Sequence, residues 1–199
     1  MLCLGAGLAA VWPVGALSET LTRSFSYFTI GGVTPEQIEQ QLVSLGPSIN
    51  GSVTRHPGAT RMKFTSHITY SRTTANCRIS AAGVSIDAKV ILPRWRRTTS
   101  ADAASRLYWD ALSADIVRHE ESHLVIARNH ARELERGLVK LPAAASCEEM
   151  AAAAQALQDK VLARHDAEQQ RFDRIEARTL DKRLLGKLKR RMDALADRP

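Results

Sequence analysis

The feature that most restricts the fold of this chain lies in its second half. From about residue 101 to 139, and again from 147 to about 178, the sequence keeps a helical period, and only Leu141 to Ala145, with Pro142 inside, separates the two runs. A link that short places two long helices side by side and antiparallel. Thr99 and Ser100 are candidate N-caps for the first helix, and Ser146-Cys147-Glu148-Glu149 has the form of a capping box that opens the second. In the first helix Trp109, Leu112, Ile116, His119, His123, Ile126 and His130 recur at three- and four-residue steps. Three histidines therefore continue an apolar stripe that faces the protein interior.

The half that precedes the hairpin reads as strands and one short helix. Residues 23–30 alternate polar and apolar, as a half-buried strand does, and Gly31-Gly32 ends them. Thr34 is the N-cap of a helix, Pro35 its first residue, and Gln37 completes a capping box; Ile38, Leu42 and Leu45 form its apolar stripe, and Gly46-Pro47 stops it. Residues 59–72 and 77–92 read as two longer strands, the second with a change of phase near Ala82-Gly83 that predicts a bulge there, and with Pro93 as its end. Hydrophobic residues make up 44% of the chain, enough for a core, and aromatics only 5%, which disfavours an all-β sandwich. The predicted fold is α+β: a small antiparallel sheet with an N-terminal helix, followed by a long antiparallel helical hairpin. Residues 179–199, with leucines at 180, 184, 185 and 188 among basic residues, read as a basic amphipathic tail to a domain spanning 19–178.

Met1 to Ser18 carries no charge and is broken by Pro13. It has the length of a secretory h-region and is too short and interrupted to span a bilayer. The small residues of Ala16-Leu17-Ser18 place a signal-peptide cleavage before Glu19, although no Lys or Arg precedes the apolar run. Cleavage removes Cys3 and leaves Cys77 and Cys147, an even number in an exported chain and so a candidate disulfide. That bridge would close a 70-residue loop, worth about 4 kcal/mol in the chain-entropy treatment; the other reading is two buried thiols. A secreted or periplasmic location follows. The formal charge is +7, from 28 Lys and Arg against 21 Asp and Glu. For an exported chain this excess suggests contact with an anionic envelope surface through 182–191, and no nucleic acid is expected.

His119-Glu120-Glu121-Ser122-His123 is an H-E-x-x-H sequence on the predicted helix. Residues i and i+4 share a helix face at about 6 Å, so two imidazoles reach one ion. Glu120, one position on, lies beside the ion rather than on it, placed to act as general base toward a water that the metal activates. The motif points to zinc as cofactor, with His119 and His123 as ligands and Glu120 as the catalytic residue.

The third ligand is less directly legible. A metzincin carries a histidine six residues after the second motif histidine, and here that position is Asn129. His130 follows but lies about 10.5 Å along the axis from His123, too far for the same ion, which makes it a supporting residue. A thermolysin-like site would take a carboxylate from the next helix. If the hairpin turns about residue 142, His119 faces position 165 and His123 faces 161. That geometry nominates His165 as third ligand and Asp166 as the carboxylate behind it, with Glu168, Asp173 and Glu176 nearby or further along.

These pieces resemble a bacterial family of predicted secreted zinc-dependent proteases, domain of unknown function 922. The resemblance covers about 23–178. It rests on Tyr27 to Gly32, Cys77, Leu92-Pro93-Arg94-Trp95, Trp109 ahead of the H-E-x-x-H, Cys147, and Phe172-Asp173. It implies an exported, zincin-like α+β domain with metallopeptidase activity on peptide or protein substrates. Where some members carry Asp-x-x-Thr-x-His-Gly, this chain has Asp173 followed by Glu176 and Arg178 in the Thr and His places. The competing function is a non-catalytic, envelope-associated binding domain with a structural metal or none.

Overall fold

The computed structural model describes residues 20–48, 54–96 and 100–196. The predicted signal segment and the candidate cap Thr99 lie outside them. Strand β1 (Thr20–Ile30) leads into helix α1 (Pro35–Leu45); β2 (Ala59–Arg72) and β3 (Cys77–Trp95) follow, then α2 (Ala103–Val139) and α3 (Cys147–Ala196). The α+β class is as predicted. The Thr34 cap forms, its hydroxyl accepting from the Gln37 amide while Gln37 Oε1 accepts from the Val33 amide.

The three strands lie in the order β1-β3-β2. β2 and β3 pair antiparallel, as a hairpin must, but β1 runs parallel to β3, so the sheet is mixed rather than antiparallel throughout. The reason is connectivity: β1 pairs on the far side of β3, reached through α1 and β2, and alternation of polar and apolar residues does not encode that choice. The phase change in β3 is a bulge at Ser80, skipped between the Thr69–Ala81 and Tyr70–Ile79 pairs, slightly before the predicted Ala82-Gly83. Buried residues accordingly switch from Cys77 and Ile79 to Ala82, Val84, Ile86, Ala88, Val90 and Leu92. Pro93 does not end β3. β2 has its last partner at Ile91, so Pro93 sits where the strand pairs with β1 alone and a missing amide is tolerated.

α2 lies across the sheet. Its cap is Asp102, which accepts from the Ser105 amide at 2.7 Å, rather than Thr99 or Ser100. Leu112, Ile116, Leu124, Ala127, Ala131, Leu134 and Leu138 fill the space over the even-numbered residues of β3. α1 closes one end of this core with Ile38 and Leu42 against Ile30 and Trp95. α3 forms an outer layer against α2, contributing Met150, Ala154 and Val161 to the core. The capping box at its start is formed: Ser146 Oγ accepts from the Glu149 amide at 3.1 Å and the Glu149 carboxylate accepts from the Ala145 amide at 3.2 Å. A disulfide joins Cys77 to Cys147, as predicted, and Cys77 and Ala144 exchange two backbone hydrogen bonds of 2.9 Å beside it. The turn between the helices is thereby stitched to the start of β3.

Two features of the hairpin differ from the expectation. The helix does not break at 178; α3 continues through Ala196, and the basic segment is its last turns. The pairs that meet across the hairpin, His123 with Gln169 and His119 with Asp173, centre on residue 146 rather than 142. Residues 140–146 are an irregular link rather than a tight turn at the proline, which shifts every α3 residue by about two helical turns against the predicted partner.

Candidate metal centre

His119 and His123 stand one turn apart on α2 and aim at one point, with 3.1 Å between their Nε2 atoms. Asp173, from α3, brings Oδ1 to the same point, 3.3 Å from His119 Nε2 and 3.1 Å from His123 Nε2. These three are the group among the described residues whose nitrogen and oxygen atoms lie close enough together to hold an ion. A tetrahedral ion with bonds of about 2.0–2.1 Å keeps its ligand atoms about 3.3–3.4 Å apart, so the three edges fit a zinc-sized ion. Two imidazoles and a carboxylate are also a donor set that zinc takes in catalytic centres, where a fourth position stays open.

The shifted hairpin register explains why Asp173 occupies this place and His165 does not. His165 lies two turns earlier on α3. It is buried, edge-on to Phe64 at 5.0 Å and to His130 at 5.7 Å. Its Nδ1 is 2.9 Å from Asp166 Oδ1 and its Nε2 is 2.9 Å from Gln169 Nε2. His130 sits further along, its Nε2 2.8 Å from Glu168 Oε2. Gln169, which the sequence reading passed over, touches His123 twice: Oε1 is 2.6 Å from Nδ1, and Nε2 donates to the His123 carbonyl at 3.0 Å. Phe172 stacks on the His119 ring at 5.0 Å and meets the His123 ring edge-on. Gln169, Phe172, Asp173 and Glu176 recur at helical spacing, so one stripe of α3 builds that wall of the site.

Electrostatics follow this geometry. Burial opposes ionisation of Asp173, but hydrogen bonds to His119 and His123 outweigh it and hold the carboxyl well below its usual range. Burial likewise disfavours the protonated form of His123, yet Asp173 and Gln169 pull its pKa above that of a free imidazole. A cluster that attracts a proton this way also suits a divalent cation.

Glu120 lies on the sheet side of the histidines. It is 3% exposed, and Thr60 Oγ1 on β2 donates to its Oε2 at 2.7 Å. Burial raises its pKa, while Thr60 and then His123 and His119 pull it back. Gly58 makes room for it: a Cβ there would lie 2.6 Å from Glu120 Oε1 and 3.0 Å from Ile116 Cγ2. The base candidate therefore sits between the histidines and the first residues of β2, which is an edge strand of the sheet.

Fold and site together define a mixed α+β domain whose H-E-x-x-H helix gathers two histidines and a carboxylate. The chain belongs to the family described as Bacterial protein of unknown function (DUF922), whose model matches residues 25–179, from β1 to the middle of α3. The match includes the disulfide and every residue of the cluster. No curated protein and no solved structure matches the chain. Among the described residues no helix is long and apolar enough to cross a membrane.

Proposed function

We propose that this protein is an exported zinc-dependent hydrolase acting on peptide bonds, with His119, His123 and Asp173 as ligands and Glu120 as general base. The observation that carries the reading is the convergence of two Nε2 atoms and one Oδ1 at edges of 3.1–3.3 Å, with a buried carboxylate one residue from the first histidine. Bound zinc supplies Lewis acidity and lowers the pKa of water toward neutrality. The residues of the chain do the rest. Glu120, its pKa raised by burial and its orientation held by Thr60, takes the proton of the attacking water and returns it to the leaving amine. Phe172 packs against both histidine rings and keeps them from rotating. A peptide substrate is supported by the edge position of β2, since such an edge accepts an added extended chain by main-chain hydrogen bonding. Export is supported by the disulfide, which persists in oxidising compartments.

The test is elemental analysis of the purified protein combined with Glu120→Gln. We expect close to one zinc per chain in both, with peptide hydrolysis lost only in the variant, by a factor of at least about 10². Zinc without hydrolysis in the wild type would support the non-catalytic alternative with a structural metal, and absence of zinc would sink the hydrolase reading and leave the metal-free form of that alternative.

A further inference from the structure

The hydrogen bonds around Gln169 fix the position of every proton behind His123. The backbone carbonyl of His123 can only accept, and it lies 3.0 Å from one end of the Gln169 amide. That end is therefore the –NH2 group, and the other end, 2.6 Å from His123 Nδ1, is the oxygen. An amide oxygen only accepts, so His123 Nδ1 carries a hydrogen. The neutral imidazole, which is the form that binds a metal, has that one proton. The lone pair of His123 is then on Nε2, the atom 3.1 Å from both His119 Nε2 and Asp173 Oδ1. The second amide proton of Gln169 meets His165 Nε2 at 2.9 Å, which must accept. His165 consequently keeps its own proton on Nδ1 and donates it to Asp166 Oδ1 at 2.9 Å. His165 is buried and boxed by the rings of Phe64 and His130, so it cannot turn to offer the other nitrogen without unpacking.

We infer that Gln169, backed by His165 and Asp166, is a positioning residue that holds His123 in its Nδ1–H tautomer and aims the Nε2 lone pair at the metal position. The inference rests on the metal-centre reading above. Asp173 lies one turn beyond Gln169 on α3, so a single helix face supplies both a ligand and the group that orients another ligand. His165 thus acts on the centre through Gln169 rather than by coordination.

Two measurements on the full chain test this. In the zinc-bound protein, where the metal rather than Asp173 faces Nε2 of His123, long-range ¹H–¹⁵N NMR should show His123 and His165 both protonated on Nδ1. Protonation of His123 on Nε2 would overturn the proposal without any mutation being made. For metal binding, competition titration with Zn²⁺ and the absorption spectrum of the Co²⁺ form compare wild type, Gln169→Leu and Gln169→Glu. The Leu variant should bind about 10–100-fold more weakly, with an altered Co²⁺ spectrum. The Glu variant keeps an acceptor for Nδ1–H but gives up the donors to the His123 carbonyl and His165 Nε2, and should recover part of that affinity. Equal affinity in wild type and Gln169→Leu would overturn the positioning role. A wild type that binds neither metal would overturn the metal-centre reading itself, and the tautomer of His165, read in the metal-free protein, would still decide the proton assignment behind Gln169.

Discussion

Thr60 and Glu120 show how single side chains set the chemistry of this site. The Thr60 hydroxyl is a direct donor to a carboxylate that is almost wholly removed from water. Thr60→Val keeps the shape and removes the donor. We expect a loss of about 1–3 kcal/mol in stability and a further rise in the Glu120 pKa, read as a shift to higher pH in the acidic limb of activity. Asp173→Ala should cost more metal affinity than His165→Ala, because the first removes a converging atom and the second only a support; parallel zinc titrations decide between them. At this scale the sequence was legible where the geometry of the cluster resides in local spacing. His119, Glu120 and His123 are placed by four consecutive helical steps. Asp173 was visible only as one of several carboxylates further along the second helix and as part of the family pattern, and Gln169 carried no signal at all. Their roles depend on which residue of α3 meets which residue of α2, and that is decided by the irregular stretch 140–146.

The element that departs most from its reading is α3. Its basic amphipathic segment continues the helix and lies along α2, with Leu184 packed against the core that holds Leu112 and Ile116. Buried Asp115 of α2 receives Lys187 at 2.9 Å and Arg183 at 3.2 Å, with Arg118 at 3.3 Å from its own helix. Arg183 and Arg118 also pair with Glu176, which stands 3.7 Å from His119 Nδ1, so this network abuts the histidine cluster. Much of the charge that suggested an anionic surface partner is thus directed inward, while Lys182, Lys189 and Arg190 stay exposed. Burial works against ionisation of Asp115, but its hydrogen bonds to Arg183, Lys187 and Arg118 prevail and bring its pKa from 3.8 to about 2. A carboxylate whose folded pKa lies below its unfolded value stabilises fully above the unfolded pKa. We therefore expect about 2 kcal/mol of stability, complete above about pH 4, to be lost as the pH falls toward 2. Denaturant unfolding across that range, with Asp115→Asn lacking the effect, checks it. Deleting residues 180–199 leaves Asp115 with Arg118 alone and should destabilise the fold by about 1–3 kcal/mol, short of the ~3–5 of a fully orphaned buried charge.

Across the whole molecule, the sheet, α2 and α3 form successive layers, and the disulfide ties the outermost to the innermost. Cys77 and Cys147 are 70 positions apart, yet their Cα atoms are 5.1 Å apart. Cys147 begins α3, so the bridge, with the Cys77–Ala144 hydrogen bonds, anchors the register that brings Asp173 to the histidines. Replacing both cysteines by alanine should cost about 4 kcal/mol in denaturant unfolding and weaken zinc binding in parallel. Zinc affinity unchanged in a folded double variant would show that packing alone holds the register. The sequence by itself determined what is periodic or local: the helices, the capping boxes and the H-E-x-x-H geometry; the even number of cysteines after cleavage made a bridge a candidate. The tertiary structure alone decided the parallel placement of β1, the continuation of α3 along α2, and the choice of Asp173 over His165. Each of those turns on how distant segments meet, and a shift of a few residues in an irregular link changes every contact beyond it while leaving every local pattern intact.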